Sequence, residues 1–426
     1  MIETIKNAWK IPDLRRKLLF VVFALVIFRF GYAIYVPYVD TKALADVFKQ
    51  YSDTLLGYFN TLSGGGFSQA SIFALSVYPY INSSIIMQLL QVAIPALERM
   101  VKDGGEEGRK KLASITRYVT IALSLLMGWT YYIMLRTSGV LTRTDLWSAI
   151  VIILTFTAGS SFIMWLGEQI NSKGVGNGIS LILFASIVSR GPSAVMSIIN
   201  GLKSGSMNVI SVIVILVVAV AMIAFIVFIT NAERRIPIQY AKRMVGRKMY
   251  GGQSTHLPMK VNMSGVMPVI FASSIVTFPG TIIQFLNPEE GSFWSNFGKA
   301  FSQGSLAYII VYALLIVGFA YFYATIQFNP IEVSNNLKRN GGFIPGFRPG
   351  KPTTDFIAKV LNKITLMGAL FLGIVAILPL IMSNIKGLGG LAIGGTSVLI
   401  LVGVALETVK QVEAQMLMRH YKGFLE

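Results

Sequence analysis

Ten apolar runs follow one another along the chain, near 18–36, 77–96, 114–135, 147–167, 178–199, 209–230, 263–285, 306–327, 357–382 and 392–409. Each is close to the ~20 residues that a helix needs to cross a hydrocarbon core about 30 Å thick. The pattern therefore predicts ten transmembrane helices. An even number of spans puts both termini on one side. One further run, 61–76, breaks the pattern: it is short, rich in Gly and Ser, and leads straight into the second span. Irregular backbone at membrane depth is tolerated only inside protein or against a water-filled cavity. This stretch is expected to be either a half-helix that re-enters the protein from outside or an external amphipathic loop helix.

Charge fixes the orientation. Of the 37 Lys and Arg residues, 28 fall in the N-terminal segment, alternate loops and tail, 8 fall in the opposite loops, and Arg29 lies late in the first span. Basic loops mark the cytoplasmic side, so both termini are predicted there. The stretches 231–260 and 328–363 hold seven and six Lys/Arg, and the net charge is +18. Attraction to anionic lipid explains short basic flanks. Two long basic loops point instead to docking of a cytosolic machine.

The spans divide five and five. The expected organisation is a cytoplasmic interfacial segment 1–17, an N-terminal half 18–200, a polar hinge 201–208, a C-terminal half 209–409 with basic loops 231–260 and 328–356, and a cytoplasmic tail 410–426. Five is odd, so the second half would start on the opposite side of the membrane and form an inverted repeat, although the halves share no clear sequence similarity. In the first segment, Ile2, Ile5 and Trp9 recur at helical spacing among Lys6 and Lys10, which fits either a short interfacial helix or a frayed tail. No cleavable signal precedes the first span.

Composition supports this reading and removes several kinds of chemistry. The chain has 426 residues, 54% hydrophobic and only 13% charged, unlike a soluble domain. It has no cysteine, hence no disulfide or thiolate chemistry. No Asp or Glu lies inside a span; Glu407 sits at the cytoplasmic end of the last, and His256 and His420 lie in cytoplasmic segments. An aspartyl protease, a Ser–His dyad and an H-E-x-x-H zinc site are not available, and no phosphate-binding loop is present. The polar groups at depth are neutral: Asn82, Ser83, Ser84, Gln88, Ser160, Ser161, Ser273, Ser274 and Thr277. Ion-coupled carriers keep charges at mid-membrane, so a small-solute transporter is disfavoured. The expectation is a passive conduit with no catalytic residues, cofactor or metal.

Four stretches carry a family resemblance. They are E-R-R-I-P-I-Q-Y-A-K-R at 233–243, S-T-H-L-P-M-K-V-N-M-S at 254–264, W-L-G-E-Q-I-N-S-K-G-V-G-N-G-I-S at 165–180 and G-G-F-I-P-G-F-R-P-G at 341–350. The chain resembles the SecY family, the central subunits of the bacterial Sec protein translocon, nearly end to end. It departs at 35–40, where the family's Pro-x-Pro-Gly-hydrophobic-Asp turn reads Tyr35-Val36-Pro37-Tyr38-Val39-Asp40, which leaves the geometry of that turn open.

The resemblance implies an all-α membrane protein of two pseudo-symmetric five-helix halves around an hourglass pore. It makes 61–76 the plug, with Gly64, Gly65, Gly66, Phe67, Ser68, Ser71, Ile72 and Phe73 as its central residues. Small residues would let a plug leave without extracting packed side chains, with the triple Gly as a flexible tether. The pore ring falls on Ile81, Ile85, Leu183, Ile187, Ile270 and Ile400, and the lateral gate on Gln88, Ser273 and Ser274. The basic loops become docking sites for the SecA motor or for ribosomal RNA phosphate: Arg234, Arg235, Lys242, Arg243, Arg247 and Lys248 in one, and Lys338, Arg339, Arg348 and Lys351 in the other. Arg348, between Pro-Gly and Pro-Gly, is expected to be held at a loop tip. SecE, SecG, signal peptides, unfolded precursors and membrane lipids complete the implied partners. The implied function is translocation of unfolded polypeptides across the plasma membrane, with sideways release of apolar segments into lipid.

Overall fold

The computed structural model describes residues 2–50, 60, 63–205, 208–240, 243–245, 248–250, 254–286, 292–301, 305–383 and 395–422. The chain divides into two compact units, Met1–Lys203 with Val404–Glu426, and Ser204–Gly403.

The first unit contains α1 (Ile2–Lys10), α2 (Pro12–Gly31), α3 (Thr41–Gln50), α4 (Tyr78–Ala93), α5 (Pro95–Asp103), α6 (Gly105–Thr137), α7 (Leu146–Lys173), α8 (Gly178–Val188) and α9 (Gly191–Lys203). Between α4 and α5, Ile94 is extended and Pro95 opens the next helix, so the two helices meet at 96°, as expected of a residue before proline. In α5, the Lys102 ammonium lies 2.6 Å from Glu98 and holds its carboxyl below the usual range. The 165–180 motif has a local structural reason. It closes the α7–α8 hairpin: Asn171 Oδ1 accepts from the Gly178 N–H at 2.7 Å, and Asn177 caps α8 through the Ser180 N–H. Its Glu168 pairs with Arg117 of α6 at 2.7 Å.

The second unit contains α10 (Val209–Asn231), strands β1 (Glu233–Tyr240), β2 (Arg243–Val245), β3 (Lys248–Tyr250) and β4 (Ser254–Lys260), then α11 (Met267–Leu286), α12 (Phe293–Ala300), α13 (Leu306–Gln327), α14 (Pro330–Arg339), β5 (Gly342–Phe343) and α15 (Lys351–Ser383). The last helix, α16 (Gly395–Lys422), begins in this unit and ends in the first.

Each apolar run of the sequence carries a helix. Among the described residues six helical stretches are long and apolar enough to cross a membrane, or seven if α4 and α5 form one bent span. Helix α2 is apolar in its middle but carries Arg15, Arg16, Lys17 and Arg29 within 20 residues. The molecule is mostly helical, but the all-α expectation needs a correction. The loop 231–260 holds antiparallel strands β1 and β4, and β5 from the next basic loop adds to β1 in the order β4-β1-β5. The signal was present as period-two alternation: Ile236 and Ile238 are buried while Arg235 and Pro237 are exposed. Pro237 is tolerated because β5 pairs only with Gln239 and Tyr240, which leaves an open edge beside it.

Candidate functional sites: a basic platform and a seated plug

The second unit builds its basic loops into a platform. Ile236, Ile238 and Met259 of the sheet pack on Leu337 of α14, Ile344, and Ile357, Leu361 and Ile364 of α15. Arg234, Arg235, Lys338, Arg339, Arg348 and Lys351, around this core, are all exposed. Arg235 is tied to Glu233 at 2.7 Å. Lys338 and Arg339 also end α14, where they complement its dipole. Of Arg243 and Lys248 only the backbone is described, and Lys242 and Arg247 lie outside the described residues.

Arg348 sits on a loop fixed at several points. Ile344-Pro345-Gly346-Phe347 makes a turn closed by the Phe347 N–H to the Ile344 carbonyl at 3.0 Å, with Gly346 at φ 86°. Proline second and a left-handed glycine third are what a type II turn requires. The Phe347 ring lies 4.2 Å from that of Phe356. The Thr353 hydroxyl donates to the Arg348 carbonyl at 2.8 Å, and the Ser334 hydroxyl to the Gly350 carbonyl at 3.0 Å. The guanidinium therefore projects from a backbone held on both sides.

The first unit seats the segment 63–77. Of the expected plug, 61 and 62 lie outside the described residues, and 63–77 is a chain of turns rather than a regular helix. Its backbone bonds run Gly66 N–H to Ser63, Ala70 to Phe67, Ala74 to Ser71 and Ser76 to Phe73. It also pairs with the strand-like stretch after α2: the Val36 N–H donates to the Ala70 carbonyl at 2.9 Å, and the Ile72 N–H to the Ile34 carbonyl at 3.0 Å.

The idea of a plug free of packed side chains is overturned. Phe67 is 8% and Phe73 is 3% exposed. Phe67 stacks on Tyr131 of α6 at 4.1 Å and meets Phe48 edge-on, while the Tyr131 hydroxyl donates to the Phe67 carbonyl. Phe73 stacks between Phe28 of α2, at 6.2 Å, and Phe162 of α7, at 5.8 Å. The glycines serve this fit. A Cβ on Gly66 would enter the Tyr32 ring, and one on Gly159 of α7 would run into the Ile72 carbonyl. The Gly- and Ser-rich composition carries no signal for where the rings go. Ser160 completes the seat by donating to the Ser76 carbonyl at 3.2 Å.

The remaining expected residues divide between the units. Ile81 and Ile85 are buried on α4, Leu183 is buried and Ile187 half-buried on α8; in the second unit Ile270 is half-buried and Ile400 buried. Gln88 Nε2 donates to the Ser84 hydroxyl at 3.1 Å, while Ser273 and Ser274 in the second unit donate to the Ile270 carbonyl at 2.8 and 2.9 Å.

Comparison with known proteins bears on the family and the fold. The family model SecY matches residues 71–409. The protein translocase subunit SecY of Streptomyces coelicolor is 43% identical over 443 residues, covering 100% of both chains. A solved SecY protein, described for a plug domain that stabilises the closed channel and maintains a membrane seal, superposes with a TM-score of 0.67 at 19% identity over 94% of this chain and 92% of its own. Sec61 in a canine ribosome–channel complex from the endoplasmic reticulum gives a TM-score of 0.63 at 17% identity, over 94% and 92%. The two structures share the fold; the full-length identity and the family model carry the assignment. The chain belongs to the SecY family of protein translocase subunits.

Proposed function

We propose that the chain is the conduit of a Sec translocon. It passes unfolded secretory polypeptides outward across the plasma membrane and releases apolar segments sideways into lipid, with the energy supplied by SecA or by a translating ribosome. Ten spans in two five-helix halves enclose the pore, and both termini lie in the cytoplasm. The segment 61–76, of which 63–76 is described, plugs the pore at rest. Ile81, Ile85, Leu183, Ile187, Ile270 and Ile400 form an apolar ring that excludes water by dewetting yet widens around a chain. Gln88, Ser273 and Ser274 line the lateral gate, where neutral hydrogen bonds of about 0.6–2 kcal/mol are weak enough to open. SecE and SecG are the expected small subunits.

One observation carries the docking part of this reading. Arg348 stands exposed on a loop clamped by the Thr353 hydroxyl and by the Phe347–Phe356 contact, above a buried core that a mere topology signal would not need. An ordered arginine fork suits phosphate or carboxylate on a cytosolic partner.

The test is reconstitution with the small subunits in liposomes, followed by motor, ATP and a signal-bearing precursor. Protease-protected precursor is expected only with ATP. Arg348→Glu is expected to abolish protection while the protein still inserts and folds. Normal protection by that variant removes Arg348 from docking. No protection by folded, motor-bound wild type returns the chain to the small-solute transporter class.

A further inference from the structure

A cavity of about 300 Å³ opens where β1 meets α15, lined by Arg234, Arg235, Ile236, Pro237, Phe356, Val360, Lys363 and Ile364. That volume is at the lower end of the about 300–1,000 Å³ typical of ligand pockets. Phe356, Val360, Lys363 and Ile364 recur at helical spacing and form one face of α15. Ile236 and Ile364 are its buried floor and belong to the platform core. Phe356 is a fixed wall, braced by Phe347 at 4.2 Å. Arg234 and Lys363 stand at this apolar bowl, while Arg235, one position along β1, lies on the strand's other face. Glu233 answers Arg235, while Arg234 and Lys363 have no ion pair among the described residues.

Lys363 also heads a stripe. Leu366, Met367, Leu370 and Ile374 follow it along α15 and are 44%, 66%, 51% and 55% exposed. Spacings of three and four keep them beside Lys363 on the helix surface. A small hydrophilic anion would use the cations and leave both bowl and stripe uncovered. An anionic glycerophospholipid uses all three parts: phosphate at Arg234 and Lys363, glycerol and upper chain in the bowl, lower chain along the stripe. We infer that this cavity binds an anionic phospholipid of the cytoplasmic leaflet. The inference rests on the proposed cytoplasmic placement of the basic loops, and it gives Arg234 a membrane-facing role distinct from docking at the Arg348 tip.

Native mass spectrometry of the purified chain, released from nanodiscs of equimolar phosphatidylglycerol and phosphatidylcholine, counts the lipids it keeps. Wild type is expected to retain phosphatidylglycerol preferentially. Arg234→Gln and Lys363→Gln should each lower that retention about fivefold, the effect of one cation beside an anionic surface. Val360→Trp fills the bowl and leaves every cation in place, and should lower it as far. If Val360→Trp does not fold, Val360→Ser keeps the space and removes apolar contact; it should still weaken lipid retention. Equal retention of the two lipids by wild type overturns the inference. So does unchanged retention in a folded Val360 variant, or displacement of the lipid by inorganic phosphate alone, which would mark a simple anion site. Arg348→Glu separates this reading from docking: its lipid retention should match wild type even where transport is lost.

Discussion

The platform of the second unit and the plug seat of the first are both rich in glycine and turns, yet they are held by opposite means. The platform rests on a three-stranded sheet and two helices around a closed aliphatic core, with its charges outside. The segment that the first unit seats contains no regular element of its own. It is a chain of turns held by stacked rings, a tyrosine hydroxyl and a few backbone bonds. In the proposed function the platform takes the thrust of a partner, and it gains from cooperative packing because no single contact can yield alone. In that function the seated segment is a stopper that must leave and return. Many separate contacts of about 0.5–1.5 kcal/mol each let it hold and still be displaced by a partner that binds elsewhere.

Removing a platform core side chain breaks this contrast most severely. Ile236 is 3% exposed at the centre of the sheet. Ile236→Ala is expected to cost about 2–5 kcal/mol, as large-to-small core changes do. The loss should spread over the sheet: hydrogen exchange should rise together at β1, β4 and the Arg348 loop, with precursor transport falling in parallel. Faster exchange confined to β1 would show that the platform is not one cooperative unit.

The plug seat should respond locally. Gly159→Ala places a methyl against the Ile72 carbonyl, and overpacking of this kind costs about 1–3 kcal/mol. If the seated segment is the moving plug of the proposed function, the cost should appear as lost seating. Ion conductance of resting channels in planar bilayers is expected to rise about tenfold to hundredfold, with the melting temperature nearly unchanged. A lower melting temperature at normal conductance would mean that α7 absorbs the strain and the segment does not seal.

The difference between the regions also explains what the sequence disclosed. Apolar runs and alternating loop charge report solvent, lipid or water, one residue at a time, so helix positions and the basic loops were legible. The alternation at Ile236 and Ile238 was legible too, but a long polar loop drew attention to its charges rather than its period. The seat was hidden because its specificity is mutual. Gly66 is small for the ring of Tyr32, and Gly159 for the backbone at Ile72, and such pairings join residues tens of positions apart. Gly64–Gly66 looked like a tether, yet Gly64 lies against the Ser186 backbone and Gly66 against the Tyr32 ring, and only Gly65 has open space.

A subtler change weighs the polar part of the seat against the aromatic part. Tyr131→Phe keeps the ring stacked on Phe67 and removes only the hydroxyl that donates to the Phe67 carbonyl. A net hydrogen bond is worth about 0.5–1.5 kcal/mol, so resting conductance should rise about twofold to tenfold, less than for Gly159→Ala. Conductance equal to wild type would assign the hold to stacking alone, and Phe67→Ala should then be the larger of the two losses.

The smallest effect is expected at the turn where the chain departs from the family pattern. Tyr38 occupies the family's glycine position and has φ 67°, which costs a side-chain-bearing residue about 1–2 kcal/mol. The turn survives because its surroundings hold it. The Thr142 N–H donates to the Tyr38 carbonyl, the Asp40 N–H donates to the Val140 carbonyl, and Asp40 Oδ1 accepts from the Lys42 and Ala43 N–H groups that begin α3. Arg143 also lies 6.0 Å over the Tyr38 ring, a contact worth about 0.5–1 kcal/mol at an exposed site. Tyr38→Gly relieves the strain but gives up that contact and loosens the unfolded chain, so its melting temperature should stay close to wild type. The informative measurement is the double-mutant cycle with Arg143→Ala. Arg143→Ala should destabilise the wild type by about 0.5–1 kcal/mol and leave the Tyr38→Gly background unchanged. Additive effects would mean that Arg143 does not compensate the strained tyrosine, and that the backbone bonds to 140–142 hold the turn without it.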